Sequence, residues 1–314
     1  MIIPIFLPNA GCKNRCIFCN QYSMTGEKMP TKSDILKIID KYPIKNEIAF
    51  YGGTFTGLSI KKQIEILESV KFLNLPIRIS TRPDEITEEN LHILKKYNVK
   101  TIEIGIQSMF DDILSASNRG HTKKDNINAI LLLQKFNFEI SAHLMVGLPK
   151  DTKEKSLKTL NELINLNVNI FRIHPTLVFK NTKLEKLYLN NQYKPLTLEE
   201  AVDITSEMLL LIYANNAKAI RLGYFVPKQS LKNIVAGPHH PSFGDMVKTN
   251  VAKKIITRLN IKKVYYPKKY ESWFYAYGNN KLNIEKIISD KFLFDNFDLS
   301  SASRMALRKE FLNG

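Results

Sequence analysis

The sequence predicts an α/β fold: an open, partial (β/α)6 barrel of the TIM type over residues 1–220, followed by a small C-terminal extension over residues 221–314. Three observations predict it. Short apolar runs alternate with helical patterns six times, which calls for a parallel sheet with right-handed crossovers. Several of those runs alternate polar with apolar residues, whereas strands buried on both faces read as continuous aliphatic stretches. Every cysteine of the 314-residue chain lies in one loop, Cys12-Lys-Asn-Arg-Cys16-Ile-Phe-Cys19, directly after the first run.

Residues 2–7 are apolar, stop at Pro8 and read as the first strand, with the cysteine loop hung from its C-terminal end. In the helix expected over 33–41, Ile35, Leu36, Ile38 and Ile39 form the apolar face. The second strand, 47–51, runs into Gly52-Gly53-Thr54. Then come a helix near 60–73, a strand at 77–81, a helix at 88–97 and a strand at 101–107. A helix near 125–136, a strand at 138–145, a helix at 155–165, a strand at 169–174 and a helix at 198–215 complete the alternation.

Strand polarity says what the barrel encloses. Arg78, Ser80 and Arg82 share one face of their strand, opposite Ile77 and Ile79, and Glu103, Gly105 and Gln107 lie opposite Ile102, Ile104 and Ile106. Ser141, His143 and Met145 share a face, as do Arg172 and His174. With the isoleucines on the outer helices, the polar faces line something wet or ligand-filled. An eight-stranded barrel packs its interior with branched aliphatics, so a wider, open six-stranded barrel is expected. An antiparallel sheet with one solvated face gives the same alternation, but the intervening helices argue against it. Chemistry in such barrels sits at the C-terminal strand ends, where both the cysteine loop and Gly52-Gly53 fall. Paired glycines there allow close approach of a ligand to backbone, or form a turn.

Three thiolates spaced C-x3-C-x2-C, with no fourth cysteine in the chain, can hold a cubane iron–sulfur cluster by three irons and leave the fourth open to a ligand that is not protein. Zinc held with one of the six histidines is the alternative, although none stands at zinc-knuckle spacing. Ordinary core or redox thiols are a third reading. An odd count in so long a chain argues against a disulfide framework.

Cysteine usage indicates a reducing compartment, no apolar run approaches membrane-spanning length, and the N-terminus lacks a signal pattern, so a soluble cytoplasmic protein with no membrane association is expected. The formal charge of +16 suggests an acidic partner such as RNA or an acidic electron donor, or reflects a chain rich in Lys, Ile and Asn throughout. After residue 220 there are 17 basic and 7 acidic residues, so +10 of the +16 lies there. Lys262-Lys-Val-Tyr-Tyr-Pro-Lys-Lys-Tyr270 and Trp273-Phe-Tyr-Ala-Tyr277 mix cations with rings, which suits stacking on unpaired bases, or the rings are core and the lysines its outside. His239 and His240 either line the open side of the barrel as proton donors or belong to a turn.

The cysteine spacing is the signature of radical S-adenosylmethionine (SAM) enzymes. Further segments resemble the radical SAM core of the Elongator catalytic subunit: 51–58 (YGGTFTGL), 80–84 (STRPD), 103–108 (EIGIQS), 119–122 (RGHT), 143–149 (HLMVGLP), 174–178 (HPTLV) and 181–185 (NTKLE). A looser similarity runs to anaerobic coproporphyrinogen oxidases. The resemblance covers roughly residues 1–235 and implies a radical SAM-type barrel with a 4Fe-4S cluster on Cys12, Cys16 and Cys19 and SAM on its open iron. It implies that Phe18 and Met145 border the adenine, that Gly52, Gly53 and Thr54 meet the SAM amino group, that Gln107 reaches the ribose and that Arg119 grips the SAM carboxylate. Glu103 falls among the cofactor-binding positions. Ser80 stands where the coproporphyrinogen enzymes carry a glutamate that touches SAM.

Departures narrow the reaction. The chain ends about 80 residues after the resemblance fades, so it is expected to lack Elongator's acetyltransferase domain. Asn20 follows Cys19 where the coproporphyrinogen enzymes carry a further cysteine, and no cysteines remain for auxiliary clusters. The expected activity is reductive cleavage of SAM to a 5′-deoxyadenosyl radical, with RNA or tRNA as substrate and a flavodoxin or ferredoxin as electron donor. A small-molecule substrate such as a tetrapyrrole, and a non-catalytic cluster-bearing RNA-binding or assembly factor, are the alternatives.

Overall fold

Seven parallel strands form the main sheet of the computed structural model, which describes residues 2–312. They are β1 (Ile2–Leu7), β2 (Glu47–Gly52), β3 (Ile77–Thr81), β4 (Val99–Gln107), β5 (Glu139–Val146), β6 (Ile170–Pro175) and β8 (Lys218–Leu222), hydrogen-bonded in that order. The two-residue β7 (Val178–Phe179) leaves the sheet and pairs with β9 (Ile234–Ala236). β1 and β8 are the edges and do not pair, so the sheet is a curled half-barrel with an open side. One strand is added to the six expected. β8 was hidden because it is short and mixes Lys218 and Arg221 with apolar residues, as an edge strand with an exposed flank does.

Among the described residues nine α-helices precede the C-terminal segment: α1 (Gln21–Thr25), α2 (Lys32–Asp40), α3 (Ile60–Glu68), α4 (Glu88–Lys96), α5 (Asp111–Ala116), α6 (Lys123–Lys135), α7 (Lys153–Asn165), α8 (Lys183–Leu189) and α9 (Leu198–Ala214). Threonines start most of them: the side chains of Thr31, Thr87, Thr122, Thr152, Thr182 and Thr197 each accept a first-turn backbone N–H. Asparagines end them, with Asn98, Asn137, Asn167 and Asn216 in the left-handed conformation just past α4, α6, α7 and α9. Much of the Asn richness is therefore punctuation. The helix expected over 60–73 breaks at Glu68, and 71–73 is a separate 3-10 turn.

Outward residues Ile3, Ile5, Ile48, Phe50, Ile79, Ile102, Ile104, Leu144, Phe171 and Ile173 are all buried beneath the helices. The same apolar cluster continues through α9 into α10 (Phe243–Leu259) and the following segment. There a small mixed sheet, β10 (Lys263–Tyr266), β11 (Glu285–Ile288), β12 (Leu293–Phe294) and β13 (Phe297–Asp298), accompanies the one-turn α11 (Ser272–Tyr275) and α12 (Leu299–Leu312). Its rings are core: Tyr266, Trp273, Phe274 and Phe294 are buried, and Tyr270 stacks on Phe292 with centroids 4.6 Å apart. Packing, not base stacking, explains most of this aromatic stretch, and Tyr275 and Tyr277 alone among its rings are largely exposed. Lys254 and Arg258 of α10 meet the buried Glu207 of α9, at 2.6 and 2.5 Å, so part of the basic excess is structural. No described helix is long and apolar enough to cross a membrane.

Candidate functional site

The register of β1 on β2 puts Leu7 beside Gly52, so the cysteine loop and the glycine pair leave the sheet side by side. Their backbones interlock. Gly53 N–H donates to Leu7 O at 2.9 Å and Thr54 N–H to Ala10 O at 2.6 Å. A Cβ on Gly53 would overlap the backbone of Ala10, and one on Gly11, at φ +68°, would overlap Thr54 O. The glycines thus seat the cysteine loop directly on the end of β2. These bonds commit the N–H groups of Gly53 and Thr54, and Thr54 O in turn accepts from Gly57 N–H at 3.0 Å. Gly53→Ala is expected to lower stability by about 1–3 kcal/mol through overpacking and to reduce the iron bound on reconstitution. Urea denaturation and iron content check it, and an unchanged variant would show the seating to be unimportant.

Three further contacts fix the loop. Ile17 N–H donates to Ser117 O at 3.1 Å, Leu184 N–H to Ile17 O at 2.9 Å, and the Asn118 side chain to Arg15 O at 2.7 Å. The sulfur of Cys12 lies 3.2 Å from Thr54 Oγ1, and Arg119 Nη1 donates to the sulfur of Cys16 at 3.0 Å. Burial pushes the Cys19 thiol up to about 12, and Cys16 and Cys12 add to the shift.

At the end of β4, Arg119 Nη2 donates to Gly105 O at 2.6 Å, which brings the 119–122 loop over the strand end. Gln107 lies beside it at φ +62°, a conformation otherwise taken here chiefly by Asn and Gly, and follows a register shift against β5. The Gln107 Oε1 and Arg119 Nε atoms are buried without a partner. A residue absent from the expected set holds this corner. Arg82 grips Asp84 with two bonds of 2.9 and 2.8 Å and donates to Arg119 O. The spacing of Arg82 and Asp84 was visible in sequence, but their hold on a loop 37 residues away was not. Phe18 and Met145 are buried in one apolar cluster against which Cys16 and Cys19 pack. Ser80 lines a crevice with Ala10, Gly53 and Thr54.

Below this rim the inward faces carry a charge network. Glu103, 3% exposed, accepts from Arg78 Nη1 at 3.1 Å on one oxygen and from Arg172 Nη1 on the other, and Tyr51 OH donates to it at 3.4 Å. Arg78 also reaches Glu47 at 3.0 Å. Both Glu103 oxygens thus accept from the lumen network, while of the residues at the end of β4 it is Arg119 that reaches the cysteine loop. His143 Nε2 and His174 Nδ1 are 2.9 Å apart. Neither His239 nor His240 enters this pair; His240 Nδ1 accepts from Ser242 N–H in its own turn at 3.1 Å.

Burial, then Arg172 and Arg119, lower His143 from 6.5 to about 3. The folded state therefore resists protonation that the unfolded chain accepts below about pH 6.5, so this group's stability contribution is complete above that pH and is lost as pH falls toward 3. Between pH 6.5 and 5 the urea midpoint is expected to fall, more steeply than in His143→Gln. Equal slopes in the two proteins would exclude a buried neutral His143.

The donor set fits an iron–sulfur cluster carrying a bound cofactor. Three partly buried thiols stand at the mouth of the half-barrel, and unpartnered polar atoms on Gln107 and Arg119 lie beside them. Among the described residues no three His, Cys, Asp or Glu side chains converge as ligands of a single ion would. A cubane needs no such convergence, because each thiolate binds a different iron.

Comparison with known proteins gives the same picture. The radical SAM superfamily model matches residues 6–163, and the Radical_SAM C-terminal domain model matches residues 168–253. An uncharacterized protein of Methanocaldococcus jannaschii is 30% identical over 219 residues, 63% of this chain and 68% of that protein. The tRNA uridine(34) acetyltransferase of Methanocaldococcus infernus is 30% identical over 151 residues, 47% of this chain and 28% of that protein. Elongator complex protein 3 of Saccharomyces cerevisiae is 30% identical over 161 residues, 50% of this chain and 29% of that protein. The matched region thus spans less than a third of those two relatives. Among solved structures, the Methanocaldococcus infernus Elp3 superposes with a TM-score of 0.63 at 22% identity, over 81% of this chain and 62% of that one. Coproporphyrinogen III oxidase of Escherichia coli gives 0.51 at 18%, over 68% and 52%. These two likenesses are of fold. With family models covering the half-barrel and the segment after it, and three cysteines seated at its mouth, the chain belongs to the radical SAM superfamily of enzymes.

Proposed function

We propose that this chain reductively cleaves SAM and uses the resulting radical on RNA. A 4Fe-4S cluster held by Cys12, Cys16 and Cys19 would supply the electron for that cleavage, drawn from a flavodoxin- or ferredoxin-type donor. The observation that carries the reading is the seating of the cysteine loop on Gly53 and Thr54 with Arg119 and Gln107 beside it, above a polar lumen. Each residue has a task suited to its chemistry. The fork of Arg119 grips a carboxylate, carbonyls of the 52–54 segment receive an ammonium group, and Gln107 meets a ribose hydroxyl. Phe18 and Met145 give the adenine an apolar seat, and Ser80 lines the crevice behind Thr54. The half-barrel keeps water from the reacting carbon.

RNA leads because the relatives include a tRNA uridine(34) acetyltransferase and because exposed lysines such as Lys262, Lys263, Lys268 and Lys269 crowd the C-terminal segment. Anaerobic reconstitution followed by dithionite and SAM is expected to release 5′-deoxyadenosine, and tRNA affinity is expected to fall about a thousandfold from roughly 50 to 200 mM salt. Absence of 5′-deoxyadenosine would leave a non-catalytic cluster protein, and salt-independent binding would remove RNA as the substrate.

A further inference from the structure

The lumen carries more positive charge than its own carboxylates match. Arg172 and Arg221 are Cα partners across β6 and β8, so two guanidiniums leave neighbouring strands on one face. Arg172 commits Nη1 to Glu103 and lies over the Tyr51 ring at 5.3 Å, but its Nε is buried without a partner. Among the described residues no carboxylate forms a salt bridge with Arg221, whose guanidinium lies 6.0 Å from the centre of the Phe225 ring. Desolvation and the adjacent Arg172 lower Arg221 from its ordinary value against the pull of Tyr51 and Glu103, with the side chain itself exposed at the edge of the sheet. Two cations side by side at this edge favour an anion between them.

The surroundings are those of a ligand site. A cavity of about 290 Å³ at the open edge is lined by Arg221, Tyr224, Phe225 and Lys248. Asp245 on its rim faces Lys248 at 3.8 Å, which leaves Arg221 as the unmatched cation. Arg172 and His174 do not line that cavity but adjoin it: Arg172 is the strand partner of Arg221, and His174, 6% exposed and with no partner for its Nε2, has its ring 4.3 Å from that of the lining Tyr224. The cavity has room for one small group and its anion, not for a large molecule.

We propose that the open side of the lumen is an oxyanion subsite, in which Arg172 and Arg221 grip a phosphate or carboxylate of the substrate and His174 hydrogen-bonds to the part beside it. The subsite rests on the proposed function only in taking the lumen as the substrate chamber. A phosphodiester of RNA and a carboxylate of a small molecule present the same chemistry to the two forks.

The test is calorimetric titration of the full-length, cluster-reconstituted protein with UpU, citrate and, as the uncharged control, uridine. UpU binding that weakens about tenfold or more in Arg221→Gln supports the subsite and assigns it to a phosphodiester. The same dependence for citrate supports it and assigns a carboxylate. Equal affinity in Arg221→Gln, or no saturable binding of either anion, overturns it. Because the variant removes one of two like charges, its melting temperature without ligand should be no lower than that of the wild type. A drop of several degrees would make Arg221 structural and also overturn the inference. The 5′-deoxyadenosine assay separates the two claims: release without Arg221-dependent anion binding defeats the subsite alone, and anion binding without release defeats the proposed function alone.

Discussion

Cys16→Ala is expected to abolish the visible absorption of the reconstituted protein, its bound iron and its 5′-deoxyadenosine production, each to background. The sulfur of Cys16 sits between two constraints, the Ile17 anchor to Ser117 on one side and the Arg119 guanidinium on the other. No fourth cysteine exists to replace it. Two remaining thiolates hold a cubane poorly, since each of three irons needs its own sulfur. The loop itself should survive, because Gly53, Ser117, Leu184 and the Asn118 side chain all bond to its backbone. A normal urea midpoint alongside the lost spectrum would therefore identify Cys16 as a ligand. An unchanged spectrum would show that the three cysteines do not hold the cluster.

Glu103→Leu is expected to have the largest effect on the fold, about 3–5 kcal/mol of lost stability in urea denaturation. Glu103 is the acceptor shared by Arg78 and Arg172, reaching from β4 to β3 on one side and toward β6 on the other. Removing it leaves a largely buried guanidinium without its counter-charge, which costs far more than the net value of the pair. Arg78 keeps Glu47 at 3.0 Å, so the orphan is chiefly Arg172. Adding Arg172→Met to Glu103→Leu should recover a substantial part of the loss, the non-additivity expected of residues in direct contact. A single-variant loss under about 1 kcal/mol would show that solvent reaches the network freely and that the lumen is not a protected chamber.

Period-two alternation made the inward faces legible, because the rule that successive side chains point to opposite sides needs no tertiary information. Arg78, Glu103, His143, Met145, Arg172 and His174 lie on the inward faces that pattern assigned, whereas Gln107 follows a register shift that the pattern does not show. The spacing of Cys12, Cys16 and Cys19 and their place after β1 could likewise be read directly, being local. β8 escaped because an edge strand exposed on one flank carries no clear pattern, and the aromatic stretch near Trp273 left both packing and stacking open, with packing slightly ahead, until burial decided.

The sequence by itself determined the alternation of strand and helix, the polar lining and the three-thiol loop, since these follow from short-range periodicity and composition. Only the tertiary structure decided which groups meet. It put Arg82 on the Arg119 loop, wedged Gly53 against Ala10, joined Arg78 to Arg172 through Glu103 and set Arg221 beside Arg172 with no acid between them. Those pairings depend on sheet order and register, which bring together residues tens of positions apart, and no local pattern in the chain encodes such distances.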